Sequence, residues 1–151
     1  MLPSMSLDLT QHPPRSARCR LGGFILLPRL LDKGRAALAG KNGSYNYGCP
    51  LDQHFFRFTG IAPEALKEEL ATGKGDGEIL GWIHQNSTPP RNPWEIQSWS
   101  NYHLHRPPDS DAETLEYFAH AVRELSVSRE DINTWVDLLD LDDYVSFGGK
   151  A

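Results

Sequence analysis

Cations, carboxylates, tyrosines and a thiol converge between Leu21 and Asp52 at closer spacing than anywhere else in the chain. Asp32 lies three residues from both Arg29 and Arg35, and on a helix all three project to one side within about 120° of arc. Lys33 extends that polar face. One chemistry open to this set is an anion clamp, in which Asp32 orients two guanidiniums that hold a carboxylate or phosphate bidentately. The competing reading is a solvated face of ion pairs, each worth a few tenths of a kcal/mol. Arg35 borders the apolar stripe near Phe24 and Pro28 and is expected to be partly covered. Tyr45 and Tyr47 alternate, so in an extended segment their hydroxyls face one way and line a polar pocket. Core or rim packing is the alternative for both.

Cys49 immediately precedes Pro50, which places a thiol at the start of a helix, where the dipole favours a thiolate. Asp52 opposes this by repelling negative charge, or ties down the first turn. His54 lies five residues on and is the candidate base for a Cys49 nucleophile. A small buried side chain is the plainer reading of Cys49. The six histidines show no paired helical spacing, and His103-x-His105 puts two rings on different sides of a helix, so no metal and no cofactor is expected. His103 shares a stripe with Ile96 and Trp99, as a core histidine does. Gly40-Lys41-Asn42-Gly43-Ser44 lacks phosphate-loop spacing and follows a helix instead of a strand.

Two cysteines in 151 residues are too few for a disulfide framework or a thiolate zinc site. The net charge of −5 hides an asymmetry: residues 1–48 carry seven Lys/Arg against two carboxylates (+5), and residues 49–151 carry eight against eighteen (−10). Either the two parts attract each other, or the basic part holds an anion. An acidic chain is a poor binder of nucleic acid. No apolar run approaches the ~20 residues of a membrane span. The opening lacks a signal-type core, and Met5 is a second candidate initiator after Met1–Ser4, so a cytoplasmic location is expected. The oligomeric state is open.

The elements that must position these residues are helical. Gln11 to Ser16, with Pro13-Pro14, reads as part of an extended arm over residues 1–20. Periodicity predicts a first helix over Gly23–Ala39, with Pro28 either kinking it or, for a start near Leu27, serving in its first turn. A short extended segment is expected near Ser44–Gly48. Further helices are expected over Leu51–Phe58, from Pro63 to about Leu70, and from Asp76. Residues 85–92 read as a linker between subregions 21–84 and 93–151 of a single domain. Asn92-Pro93 opens the next helix, and capping boxes at Ser110/Glu113 and Ser128/Asp131 open the last two. The inward residues of these last two are Leu115, Phe118, Val122 and Leu125, then Ile132, Trp135, Val136 and Leu139. The four tryptophans are read as core. The fold class is an irregular all-α bundle of six or seven short helices.

The chain resembles a bacterial family known as a domain of unknown function, DUF5069. The resemblance is carried by Asp8-Leu9-Thr10, Pro14-Arg15-Ser16, Leu21-Gly22-Gly23 and Pro28-Arg29, then Asp32-Lys33, Arg35-Ala36 and Leu38-Ala39-Gly40. It continues through Tyr45, Tyr47 and Cys49-Pro50-Leu51-Asp52, and is looser afterwards, at Trp99 and Val145-Ser146-Phe147. It implies a small single-domain bacterial protein and no particular activity. Three functions remain in play. The first is a binding module for a small anion or an acidic partner segment at Arg29, Asp32, Lys33, Arg35, Tyr45, Tyr47 and Asp52. The second is an enzyme or redox protein using Cys49 with His54. The third is structural self-association through the acidic C-terminal helices.

Overall fold

Gly22 and Gly23 turn the chain before any helix begins. Both take positive φ (57° and 83°), which a two-residue hairpin turn needs and glycine supplies without steric cost. They join β1 (Arg20–Leu21) to β2 (Phe24–Ile25), antiparallel, with Arg20 opposite Ile25 and Leu21 opposite Phe24. The computed structural model describes residues 7–151, so the reading of Met5 as initiator lies outside the described residues.

The hairpin takes up the residues expected to start the first helix. That helix, α1 (Leu27–Leu38), begins at Leu27 with Pro28 in its first turn, where the missing N–H costs nothing. Leu26, its N-cap, sits at φ 71°, a left-handed conformation that costs a branched residue about 1–2 kcal/mol. Its side chain is fully buried, and burying a leucine returns about 1.5–3 kcal/mol, so packing carries the strain. Residues 44–48, expected to be extended, form two successive turns; among the described residues the strands are at Arg20–Leu21 and Phe24–Ile25.

The remaining helices are α2 (Pro50–Thr59), α3 (Pro63–Leu70), α4 (Asp76–Asn86), α5 (Pro93–Leu104), α6 (Ala112–Leu125) and α7 (Trp135–Ser146). Prolines stand in the first turns of α2 and α3, and Gly60 closes α2 at φ 70°. Asn92 Oδ1 accepts the Glu95 N–H at 2.9 Å and Glu95 Oε1 accepts the Asn92 N–H at 3.1 Å, the reciprocal cap that opens α5. Among the described residues the fold is mostly α, seven short helices with one two-stranded sheet.

The chain forms two units, one ending at Ser100 and one spanning Asn101–Ala151. In the first, Phe24, Leu27, Leu30 and Leu31 pack against Phe55 and Phe56 of α2, Leu66 and Leu70 of α3, Ile79 and Ile83 of α4 and Ile96 of α5. Phe24 meets Phe55 edge-on at 5.3 Å, and Phe58 stacks on Trp99 at 5.1 Å. Ser100 Oγ donates to Gly23 O at 2.7 Å and accepts the Ile25 N–H at 3.0 Å, which ties α5 to the hairpin. Gly34 lets α1 and α3 close up: a Cβ there would lie 2.6 Å from Leu70 Cδ1. Residues 87–91 are held within this unit, Thr88 donating its N–H to Thr59 O at 2.8 Å and the Arg91 guanidinium lying 4.3 Å over the Phe58 ring.

In the second unit Phe118, Val136 and Leu141 are buried, and Trp135 meets Phe118 edge-on at 5.1 Å. Both helix starts lie later than expected. Asp111, not Ser110, caps α6 by accepting the Thr114 N–H at 2.9 Å. α7 is capped by Thr134 with Asp137, because Arg129 takes the Asp131 carboxylate (2.6 and 2.8 Å) that would have completed the earlier box. Of the stripe expected to point inward from α6, Phe118 is buried while Leu115 is exposed. Trp94, read as core, is 67% exposed.

Candidate functional site

α1 turns its charged face inward. Arg29, Asp32 and Lys33 are 4%, 2% and 3% exposed, which removes the reading of a solvated face. Charged groups reach such burial only when paired and hydrogen-bonded.

Lys33 is satisfied completely. Its ammonium donates to Asp52 Oδ2 at 2.7 Å, to the Asn46 carbonyl at 3.1 Å and to Cys49 Sγ at 3.3 Å, one acceptor for each hydrogen. Asp52 Oδ2 also accepts the N–H groups of Gly48 (2.9 Å) and Cys49 (3.3 Å), so this carboxylate both caps α2 and neutralises Lys33. Both side chains are buried. Cys49 is the N-cap of α2 and half-buried. The partner brought to its sulfur is thus Lys33, sixteen residues away in sequence, while the expected base, His54, has Nδ1 at 3.0 Å from the Arg57 guanidinium.

A second set of charges lies along the same helix. Asp32, expected to orient Arg29 and Arg35, grips Arg15 of the N-terminal arm. It accepts the Arg15 backbone N–H at 2.9 Å and its guanidinium at 3.0 to 3.3 Å. Arg15 reaches on to Asp76 at the start of α4 (2.8 Å), and Arg35 meets the same carboxylate at 2.6 Å. Arg35 also donates to Lys74 O at 3.2 Å. The Arg29 guanidinium lies 5.4 Å over the Tyr45 ring and donates to Arg15 O at 3.5 Å. Tyr45 packs with Leu9 and Ala36. Tyr47 belongs to the main core, edge-on to Phe56 at 6.0 Å, and donates to Pro63 O at 2.6 Å. The two tyrosines therefore join different clusters and do not line one pocket.

Electrostatics follow the pairing. Burial raises the Tyr47 phenol far above its usual range, with the Asp52 and Glu64 carboxylates adding to it, so this hydroxyl stays protonated and donating. Burial alone would raise the Asp76 carboxyl, but the hydrogen bonds from Arg15 and Arg35 outweigh it and hold Asp76 below its ordinary value of 3.8. A depressed folded-state value means that the contribution is present above the unfolded value and disappears as pH falls through the folded one. Asp76→Asn should therefore be less stable than the parent at pH 7, with the gap closing below about pH 3.8. Urea unfolding at stepped pH reads this. A gap that stays constant to pH 2 would disprove the assignment.

Seven charged side chains thus gather along α1: the cations Arg15, Arg29, Lys33 and Arg35 and the carboxylates Asp32, Asp52 and Asp76. Sequence spacing gave no sign of Arg15 or Asp76 as members, since they lie 17 and 44 residues from Asp32; only the inclusion of Arg15 in the family-like stretch pointed to it. Among the described residues no group of three or more His, Cys, Asp or Glu side chains is placed to hold a metal, and no helix is long and apolar enough to cross a membrane.

The family model described as a domain of unknown function (DUF5069) matches residues 11–145, a span that includes every member of this cluster. No curated protein matches the chain.

Proposed function

We propose that this chain, which belongs to the DUF5069 family, is a binding module for a small anion, held where α1 faces residues 45–47. The observation that carries this reading is the gathering of four cations, Arg15, Arg29, Lys33 and Arg35, along α1, with Arg29 and Lys33 only 4% and 3% exposed. Arg29 stands at its centre. Its contact with Arg15 O is 3.5 Å, at the outer limit of a hydrogen bond. A guanidinium bond to a charged oxygen is roughly twice as strong as one to a neutral carbonyl. Tyr45 supplies the aromatic face that fixes the guanidinium plane.

Thermal shift against inorganic phosphate, a sugar phosphate, AMP and citrate tests it. An anion present at a hundred times its dissociation constant adds about 2.7 kcal/mol. That amounts to roughly 5–10 °C for a chain of this size. The shift should vanish in Arg29→Lys, which keeps the charge and loses the fork. An equal shift in the variant, or no shift from any anion, overturns the reading, and the latter outcome directs attention to an acidic partner segment.

A second reading, Cys49 as nucleophile, is favoured by the Lys33 ammonium at 3.3 Å from Sγ, since a cation beside sulfur supports the reactive thiolate. Iodoacetamide should then modify Cys49 at neutral pH faster than a free cysteine. Slower modification sinks it.

A further inference from the structure

Two nucleophilic side chains from distant parts of the chain meet at the start of α2. Lys33 Nζ already has Asp52 and Asn46 as oxygen acceptors, and a thiol is the weakest of its three partners. Cys49 caps α2 in a capping box, its side chain accepting the Asp52 N–H while Asp52 Oδ2 takes the Gly48 and Cys49 N–H groups. Serine or asparagine would cap at least as well. The sulfur is half-buried and open to a small oxidant, while the amine is 3% exposed and fixed beside it.

We propose that Lys33 Nζ and Cys49 Sγ are a redox pair that closes into a covalent nitrogen–oxygen–sulfur bridge when the protein meets hydrogen peroxide. Sulfur is oxidised first: Cys49–SH and one peroxide give Cys49–SOH and water. The Lys33 ammonium sheds one proton to solvent. The free amine and the sulfenic acid then lose two hydrogens to a second peroxide, giving Lys33–NH–O–S–Cys49 and two waters. The N–O bond forms, the O–O bond of the second peroxide breaks, and that peroxide takes both electrons. Geometry favours the bridging oxygen over a direct bond. One oxygen spans most of the 3.3 Å gap, whereas a sulfur–nitrogen bond would have to draw two packed side chains together by about half of it. Closure links α1 to the residue before α2 and removes the counter-ion of Asp52, so oxidation changes both the connectivity and the charge of the cluster. A thiol reductant returns lysine, cysteine and water.

The test uses the full chain carrying Cys19→Ser, so that Cys49 is the sole thiol. After peroxide, intact mass should rise by one oxygen and fall by two hydrogens. Digestion should yield one cross-linked peptide pair joining Lys33 to Cys49, lost on treatment with dithiothreitol. Lys33→Arg keeps the cation but should stop at a sulfenic acid that dimedone traps, and Cys49→Ser should show no change. The parent's cross-linked peptide decides the matter even where Lys33→Arg folds poorly. Oxidation of Cys49 to sulfinic acid with Lys33 unmodified overturns the proposal. So does a mass change of two lost hydrogens without oxygen. Rapid alkylation of Cys49 without any cross-link leaves the nucleophile reading standing and refutes this one.

Discussion

Replacing Lys33 with methionine is expected to lower the unfolding free energy by about 3–5 kcal/mol, the cost of leaving a buried charge without its partner. Asp52 is 4% exposed and takes the Lys33 ammonium at 2.7 Å; methionine fills the aliphatic stem but removes the charge. At roughly 2–4 °C per kcal/mol for a chain of this length, the midpoint should fall by roughly 6–20 °C. The loss is expected to come from the stranded carboxylate and not from a large net worth of the ion pair, because desolvating two charges cancels most of their attraction. Lys33→Met combined with Asp52→Asn should therefore recover most of the stability. The asparagine oxygen still accepts the Gly48 and Cys49 N–H groups, and no unpaired charge remains. Urea unfolding of the two single variants and the double variant closes the cycle. Additive losses would show that Lys33 and Asp52 act independently, against the geometry.

What could be read from the sequence divides along the range of the forces involved. Helix content was legible because 3.6-residue apolar spacing and proline or glycine punctuation are local: Pro50, Gly60 and Pro63 stand at the helix ends expected of them. The hairpin was missed because Phe24, Leu26 and Leu27 satisfy a helical stripe as well as a strand leading into a helix; the decisive signal was Gly22-Gly23 at positive φ. The last two caps slipped because several Ser, Thr and Asp residues compete there, and before α7 Arg129 has already taken the Asp131 carboxylate. The candidate site was legible as a set of residues and illegible as a geometry. Arg29, Asp32 and Lys33 share a helical face, as their spacing requires, but a face rich in charge reads as solvent-exposed. Only contacts across 17 to 61 residues, through Arg15, Asp52 and Asp76, explain how it is buried.

Asp32→Ala separates the architectural role of this cluster from its proposed ligand chemistry. Asp32 pins the N-terminal arm through the Arg15 amide at 2.9 Å and the Arg15 guanidinium at 3.0 Å. Hydrogen bonds to a charged group contribute about 1.5–3 kcal/mol. The Arg15 side chain is 40% exposed and keeps Asp76, so solvent compensates part of what it loses. The expected cost is about 2–3 kcal/mol, below that of Lys33→Met. The loss should be local. Hydrogen exchange should quicken at the Arg15 amide, while amides of α2, tied through Asp52, keep their protection. Asp32→Asn should fall between parent and alanine, since one amide oxygen can serve the backbone or the guanidinium but not both. The same substitution removes one negative charge from the cluster and leaves Asp52 and Asp76 as the carboxylates paired with Arg15, Lys33 and Arg35. If the cluster holds an anion, phosphate should stabilise Asp32→Ala by more degrees than it stabilises the parent. A variant that phosphate rescues no better than the parent would mean that the freed positive charge is taken up within the fold, and the anion-binding reading would fail with it.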